Sequence, residues 1–487
     1  MRHRCRGGRG KGPGRGPPRG SQHRRDSYVH RRGRLTAPPT PEDLGMTILA
    51  PTLVGTERFR ALGPRHIDEI ADRYGLPADL RESVRLVSAV LPFRVNEHVL
   101  NTLIDWDRIP DDPIFQLVFP QAGMLSADDG RQVAAALSDG DRTRLQTVVR
   151  DIRGRLNPHP SGQMEHNVPR GADGEPLAGV QHKYRSTVLY FPGQGQTCHS
   201  YCTYCFRWAQ FVGDADLRFA AQSPHQLVEY LHRHPSVTDV LVTGGDPMVM
   251  STERLRSHLE PLLAVPTVRT IRIGTKSLAY WPHRFGSDGD AEEVLRLFEQ
   301  IVATGRNIAV MAHFSHPREL EPEPARWAME RIRATGALIY CQAPLIARVN
   351  DSAAVWREMW HRELAAGAVP YYMFVERDTG PHEYFKVPLE RAASIFREAY
   401  QDLSGLARTV RGPVMSATPG KVIVDGVTPA GDGEALQLRF LQARDPALVG
   451  RPFLAHRSPT AAWLDELVLH PSTPADIAAA VGSAVSR

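Results

Sequence analysis

From residue 184 onward, short apolar runs alternate with amphipathic stretches of helical length, and no other feature of the 487 residues restricts the fold as strongly. The runs at 187–191, 239–243, 268–274, 307–313, 337–342 and 369–375 are near-continuously apolar, the pattern of strands buried on both faces of a parallel sheet. Between them, residues 224–234, 253–263, 291–304, 322–335 and 352–365 read as helices. Six strand–helix units predict a parallel α/β sheet with its chemistry at the carboxyl ends of the strands, and they are too few to close an eightfold barrel.

The first strand runs into Cys198-His199-Ser200-Tyr201-Cys202-Thr203-Tyr204-Cys205, which holds three of the five cysteines in a C-x3-C-x2-C spacing. Three thiolates from one loop can hold three irons of a [4Fe-4S] cluster and leave the fourth iron open to a ligand. A structural zinc site wants four protein ligands, and no fourth cysteine or second C-x2-C lies nearby. A disulfide framework is poorly served by five cysteines, a sparse and odd number. After the second strand comes Gly244-Gly245-Asp246-Pro247. Two glycines at a strand end let the backbone approach a ligand closely; the same residues also suit a tight turn with Asp246 as a helix cap.

Charge divides the chain unevenly. Residues 1–35 carry eleven Arg and one Lys against the single Asp26, so this part holds +11 of a net +5 and the rest is mildly acidic. A Gly-, Pro- and Arg-rich segment cannot bury enough apolar surface to fold, so residues 1–45 are expected to be a disordered basic tail. It could neutralise nucleic-acid phosphates, but a dispensable extension, or a chain that starts near Met46, is the preferred reading, and no nucleic-acid partner is expected. Residues 46–180 read as a helical region and linker, 181–403 as the α/β core, and 404–487 as a C-terminal region with a strand at 436–441 and helices at 459–467 and 474–481. No run approaches eighteen apolar residues, the start lacks a secretory apolar core, and the cysteine usage suits a reducing cytoplasm.

The cysteine spacing, with aromatic Tyr204 just before the third cysteine, resembles the radical S-adenosylmethionine (SAM) superfamily. Further segments resemble the lysine 2,3-aminomutases in order: the Pro-rich loop Trp106 to Pro113, Ile271-Arg272-Ile273-Gly274-Thr275-Lys276, His313-Phe314-Ser315-His316-Pro317, Gln342 through Asp351, and Pro370-Tyr371-Tyr372, while His182-Lys183-Tyr184 resembles the segment ahead of the cluster in the elongation-factor-P lysine aminomutases. The resemblance implies a partial (β/α)6 barrel in which Cys198, Cys202 and Cys205 hold the cluster. Its open iron would chelate the amino and carboxylate groups of SAM, whose reductive cleavage yields a 5′-deoxyadenosyl radical, with a flavodoxin or ferredoxin as electron source. It further implies that Gly244, Gly245 and Asp246 contact the SAM amino group and that Arg272, His313 and Gln342 line the SAM site.

In that family a lysine near the C-terminal end of the core holds pyridoxal 5′-phosphate (PLP), whose π system lets the amino group of an amino acid substrate migrate. The corresponding residue is Lys421, although Pro419-Gly420 stands where the family has a longer glycine run, and a surface lysine entering a strand is the alternative. A radical SAM enzyme without PLP, acting on another small molecule, is the second functional reading. Two positions that carry Asp in the lysine enzymes are Arg377 and Ser416 here, a change that repels a distal ammonium and favours a carboxylate or another acceptor. A one-residue shift would bring Asp378 to the first position, and Arg377 has Glu376 and Asp378 beside it as partners. Assembly into a homo-oligomer is left open.

Overall fold

A computed structural model describes residues 58–158, 166–213 and 217–485. The basic tail expected at 1–45 lies outside these residues. The described chain begins with β1 (Ala61–Leu62), which pairs antiparallel with β2 (Val95–Asn96). Between and after them come helices Ile67–Tyr74, Ala78–Ser88, Ala127–Ser138 and Arg142–Leu156, as the apolar periodicity predicts. Their starts are written in the sequence: Ser126 and Asp141 accept hydrogen bonds from backbone N–H groups of the first turns that would otherwise be unpaired. Asp112 does the same for helix Pro113–Val118, and its other carboxylate oxygen takes the Arg318 guanidinium, tying the Pro-rich loop to the chain beyond residue 313.

Among the described residues one sheet of eleven strands dominates. In chain order these are β3 (Val180–Tyr184), β4 (Thr187–Tyr190), β5 (Asp239–Val242), β6 (Thr270–Thr275), β7 (Asn307–His313), β8 (Leu338–Leu345), β9 (Val369–Val375), β10 (Arg411–Ser416), β11 (Gly420–Ala430), β12 (Gly433–Ala443) and β13 (Pro452–His456). They lie side by side in that same order. The six strands read from the sequence are β4 to β9, parallel throughout, with Val188, Val240, Ile271, Ile308 and Ile339 buried between helices and sheet. Three helix-to-strand turns, before β7, β8 and β9, pass through Gly305, Gly336 and Gly367 at φ of 80°, 83° and 72°, a left-handed conformation that ends a helix cleanly and that side chains with a Cβ resist.

Two features differ from the sequence reading. A seventh parallel strand, β10, pairs with β9, and β11 to β13 continue the sheet antiparallel, so the chain beyond residue 404 extends the core sheet. Gly412 and Pro413 inside β10 are strand-breaking residues that hide it from pattern reading. The helix expected at 459–467 is only a single turn, Leu464–Glu466. Its apolar residues Ala461, Trp463, Leu464 and Leu467 are buried against β12 and β13, and the Ala461 carbonyl accepts from Leu389 N–H, so docking overrides helical propensity. The second expected C-terminal helix is present as Ala475–Val485. The sheet is open: β3 and β13 are its edges. Among the described residues no helix is long and apolar enough to cross a membrane.

Candidate active site

The cysteine loop, the Gly244-Gly245-Asp246 turn, Lys276, His313 and Arg377 lie at or just beyond the carboxyl ends of parallel strands, where side chains from successive loops can converge, whereas Arg272 and Gln342 lie within strands and Lys421 near the start of antiparallel β11. The cysteine loop follows β4 and is clamped by the N-terminal region. Arg94 donates from Nη1 to Thr197 Oγ1 and, at 3.2 Å, to the Cys198 carbonyl. Buried Asn96 donates from Nδ2 to the carbonyls of His199 (3.3 Å) and Tyr280 (2.9 Å). Thr203 N–H and Oγ1 reach the Leu117 and Gln116 carbonyls at 2.9 and 2.7 Å. The N-terminal region thus shapes the loop, whose three thiols are free.

Burial pushes the Cys205 thiol up to about 12 and those of Cys198 and Cys202 upward as well, so the free thiols are neutral. Positive charge from bound iron is what would deprotonate them. Among the described residues no group of three or more His, Cys, Asp or Glu converges as ligands of a single ion do. Three thiols on one loop, none of them in a disulfide, are the donor set a [4Fe-4S] cluster would take, with one iron left open. Tyr280 Oη approaches Cys202 Sγ at 3.6 Å, and Lys276, whose Nζ lies 4.6 Å from the Tyr280 ring centroid, favours the Cys202 thiolate.

The Gly244-Gly245-Asp246 turn leans directly on this loop. A Cβ on Gly245 would stand 2.3 Å from the Thr197 carbonyl oxygen and 2.5 Å from its nitrogen, so the close approach that glycine allows is to the cysteine loop itself. Asp246 N–H donates to the Thr197 carbonyl at 2.6 Å. The Asp246 carboxylate is buried and points inward, accepting from Met248 N–H (2.9 Å), Thr275 Oγ1 (2.7 Å) and Lys276 N–H (2.9 Å). Burial raises its pKa, and these hydrogen bonds oppose the rise. Asp246 therefore caps the short turn Pro247–Val249 and ties β5 to β6.

Beyond β6 and β7, Lys276 forms a buried ion pair with Glu319 at 2.7 Å and donates to the His313 carbonyl at 3.2 Å. Gln342 Nε2 lies 3.0 Å from His313 Nε2 across neighbouring strands. Burial, then Lys276, brings the His313 pKa down to about 4, so its imidazole is neutral. His313 and Gln342 are thus brought together on the Cys202 side through Lys276. Arg272 is placed differently: it is held by Asp239 through Nε at 3.1 Å and Nη2 at 2.5 Å, and its charge acts on Tyr372 and Lys421.

Lys421 is enclosed by aromatic rings, with Nζ 4.6 Å from the Tyr372 centroid, 5.5 Å from that of Tyr184 and 6.0 Å from that of Phe374. Burial, followed by the charges of Arg272 and Arg411, lowers its pKa to about 7. This is not the environment of a surface lysine. Lys183 donates to the Ala417 carbonyl, and burial together with Arg377, Arg444 and Lys421 pushes its pKa well down. Arg377 and Ser416 also meet, Arg377 Nη1 donating to the Ser416 carbonyl at 3.3 Å. Asp378 lies 3.5 Å from Arg377 Nε, whereas the buried Glu376 turns to His382 at 2.5 Å, burial pushing its carboxyl up to about 7.

Sequence reasoning did not assign Arg207, Lys276, Arg411 or Trp463 to this region. For Arg207 a signal existed, since it follows the third cysteine by two positions. The others depend on packing between distant segments.

No family model matches the chain. It is 31% identical over 392 residues to a provisionally named L-lysine 2,3-aminomutase of Aquifex aeolicus, covering 80% of this chain and 91% of that protein. It is 29% identical over 232 residues to the L-lysine 2,3-aminomutase of Fusobacterium nucleatum, covering 48% of this chain and 52% of that one. Among solved structures, a radical SAM methyltransferase from Sphaerobacter thermophilus aligns over 50% of this chain and 71% of its own at 14% identity, with a TM-score of 0.33, too slight a likeness to argue from. With the cysteine loop, the glycine turn and a relative matched along nine-tenths of its length, the chain belongs to the lysine 2,3-aminomutase family of radical SAM enzymes.

Proposed function

We propose that this radical SAM enzyme catalyses a PLP-dependent 1,2-amino shift on an amino acid, with Lys421 holding the PLP. The observation that carries the proposal is the enclosure of Lys421 among Tyr184, Tyr372 and Phe374 with its pKa near 7. A buried lysine that is about half neutral near pH 7 is a competent nucleophile toward an aldehyde, and the cations around it suit an anionic cofactor. Lys183 and Arg444 are the nearby groups suited to a phosphate.

Cys198, Cys202 and Cys205 would hold the [4Fe-4S] cluster, Gly244, Gly245 and Asp246 would form the turn against which SAM rests, and His313 and Gln342 would offer it neutral polar groups. Arg272, engaged by Asp239, would act on Lys421 and not on SAM. When bound, the cluster and SAM together supply a hydrogen-abstracting radical, and PLP supplies the π system over which an amino group can migrate. The chain's own part is to keep the cluster side dry with Tyr204 and Trp208, both buried, and to orient the substrate. The open run of parallel βα units is the arrangement a partial (β/α)6 barrel would have, and a flavodoxin- or ferredoxin-type donor in the cytoplasm would supply the electron.

The test is anaerobic reconstitution with iron, sulfide and PLP, followed by iron and sulfide analysis and absorbance spectroscopy. Wild type should take up about four irons and show the band of lysine-bound PLP, and Lys421→Ala should lose the band while keeping the iron. A wild type that shows no such band at saturating PLP refutes the amino shift and leaves a PLP-independent radical enzyme.

A further inference from the structure

We infer that the substrate is a dicarboxylic amino acid and that Arg377 is the residue that selects it. This rests on the PLP-dependent reading above. Two guanidinium groups near the cysteine loop, those of Arg207 and Arg377, each bury an Nε that has no hydrogen-bond partner. A buried donor left unpaired is costly, and a planar guanidinium is best satisfied by a carboxylate in a two-point contact. Arg207 lies 4.1 Å from the Phe191 centroid, within electrostatic reach of Cys198 and Cys205, and among the described residues no carboxylate pairs with it.

Arg377 lies 5.9 Å from the ring centroid of Phe206, the residue between Cys205 and Arg207, and 5.4 Å from that of Trp463. The two arginines therefore approach the same short stretch after the third cysteine from different sides of the sequence. The carboxylates beside Arg377 give it one long ion pair and no close two-point contact. Asp378 stands at 3.5 Å, beyond a good hydrogen bond, and Glu376 is turned to His382. The Arg377 guanidinium itself would repel a distal ammonium.

An amino acid with one carboxylate can satisfy only one of the two arginines. A substrate of the aspartate or glutamate class satisfies both, with its amino group left for the PLP held at Lys421. Trp463 gives the C-terminal region a role here: its buried indole packs against Arg377 and helps to fix the guanidinium.

The experiment is anaerobic calorimetry on the full-length protein reconstituted with iron, sulfide, PLP and SAM, titrated with L-glutamate, L-aspartate, L-glutamine and L-lysine. At least one of the two acids should bind at least ~30-fold more tightly than lysine or glutamine. Arg377→Gln should bring that acid to within ~3-fold of glutamine without weakening glutamine itself, and Arg377→Lys should retain most of the preference. Circular dichroism and the PLP band establish that the variants are folded. Lysine or glutamine binding as tightly as both acids, an acid preference unchanged in folded Arg377→Gln, or no amino acid binding at all would each overturn the inference. Absence of the PLP band in wild type sinks the amino-shift reading by itself, whereas a normal band without acid selectivity sinks only this inference.

Discussion

The buried ammonium of Lys421 has a measurable thermodynamic signature that does not depend on any cofactor. In the unfolded chain a lysine keeps its proton up to about 10.5, and in the folded protein Lys421 keeps it only to about 7. Between those values the unfolded state binds more protons, so native stability is fully present above about 10.5 and is lost as the pH falls toward 7. At about 1.4 kcal/mol for each tenfold change, the whole difference is worth roughly 5 kcal/mol, of which roughly 2 kcal/mol falls between pH 7 and 9. Lys421→Met keeps the apolar stem and removes the titration. Urea unfolding of cofactor-free wild type and variant, both anaerobic, should therefore show the variant gaining roughly 2 kcal/mol on wild type as the pH drops from 9 to 7. Any loss of packing in the variant is a constant offset and cancels in this comparison. A difference that stays flat over that range, or that changes in the opposite direction, would refute the burial of a depressed-pKa ammonium among Tyr184, Tyr372 and Phe374, and with it the main reason to regard Lys421 as a ready nucleophile.

Two further predictions concern the frame around the cysteines. Gly245→Ala places a Cβ 2.3 Å from the Thr197 carbonyl oxygen, where backbone and not a pliable side chain must move. It should cost about 1–3 kcal/mol in urea unfolding and lower the iron bound after reconstitution; unchanged iron content would show that the turn does not set the loop. Lys276→Met leaves Glu319 buried without its partner and should destabilise by roughly 3–5 kcal/mol, with much of the loss recovered in the double variant with Glu319→Gln. Equal melting temperatures for Lys276→Met and wild type would mean that the pair is not enclosed as described.

Much of this protein is legible in local sequence. The apolar runs between 187 and 375 correspond to β4 through β9 in order, because a strand buried on both faces needs little beyond a short continuous apolar segment. The C-x3-C-x2-C loop and the Gly244-Gly245 pair are equally local, since their spacing is their chemistry. What the local pattern could not reveal depends on contacts between residues far apart in the chain. β10 is a strand despite Gly412 and Pro413 because β9 and β11 pair with it on both sides. Arg272 is drawn to Asp239, 33 residues earlier, and Trp463 leaves its expected helix to pack beside Arg377. Lys421 likewise looks in sequence like any lysine at a strand start. Its low pKa arises only when Tyr184 and Tyr372 exclude water and Arg272 and Arg411 add their charge, because desolvation and Coulomb forces act through space and not along the chain.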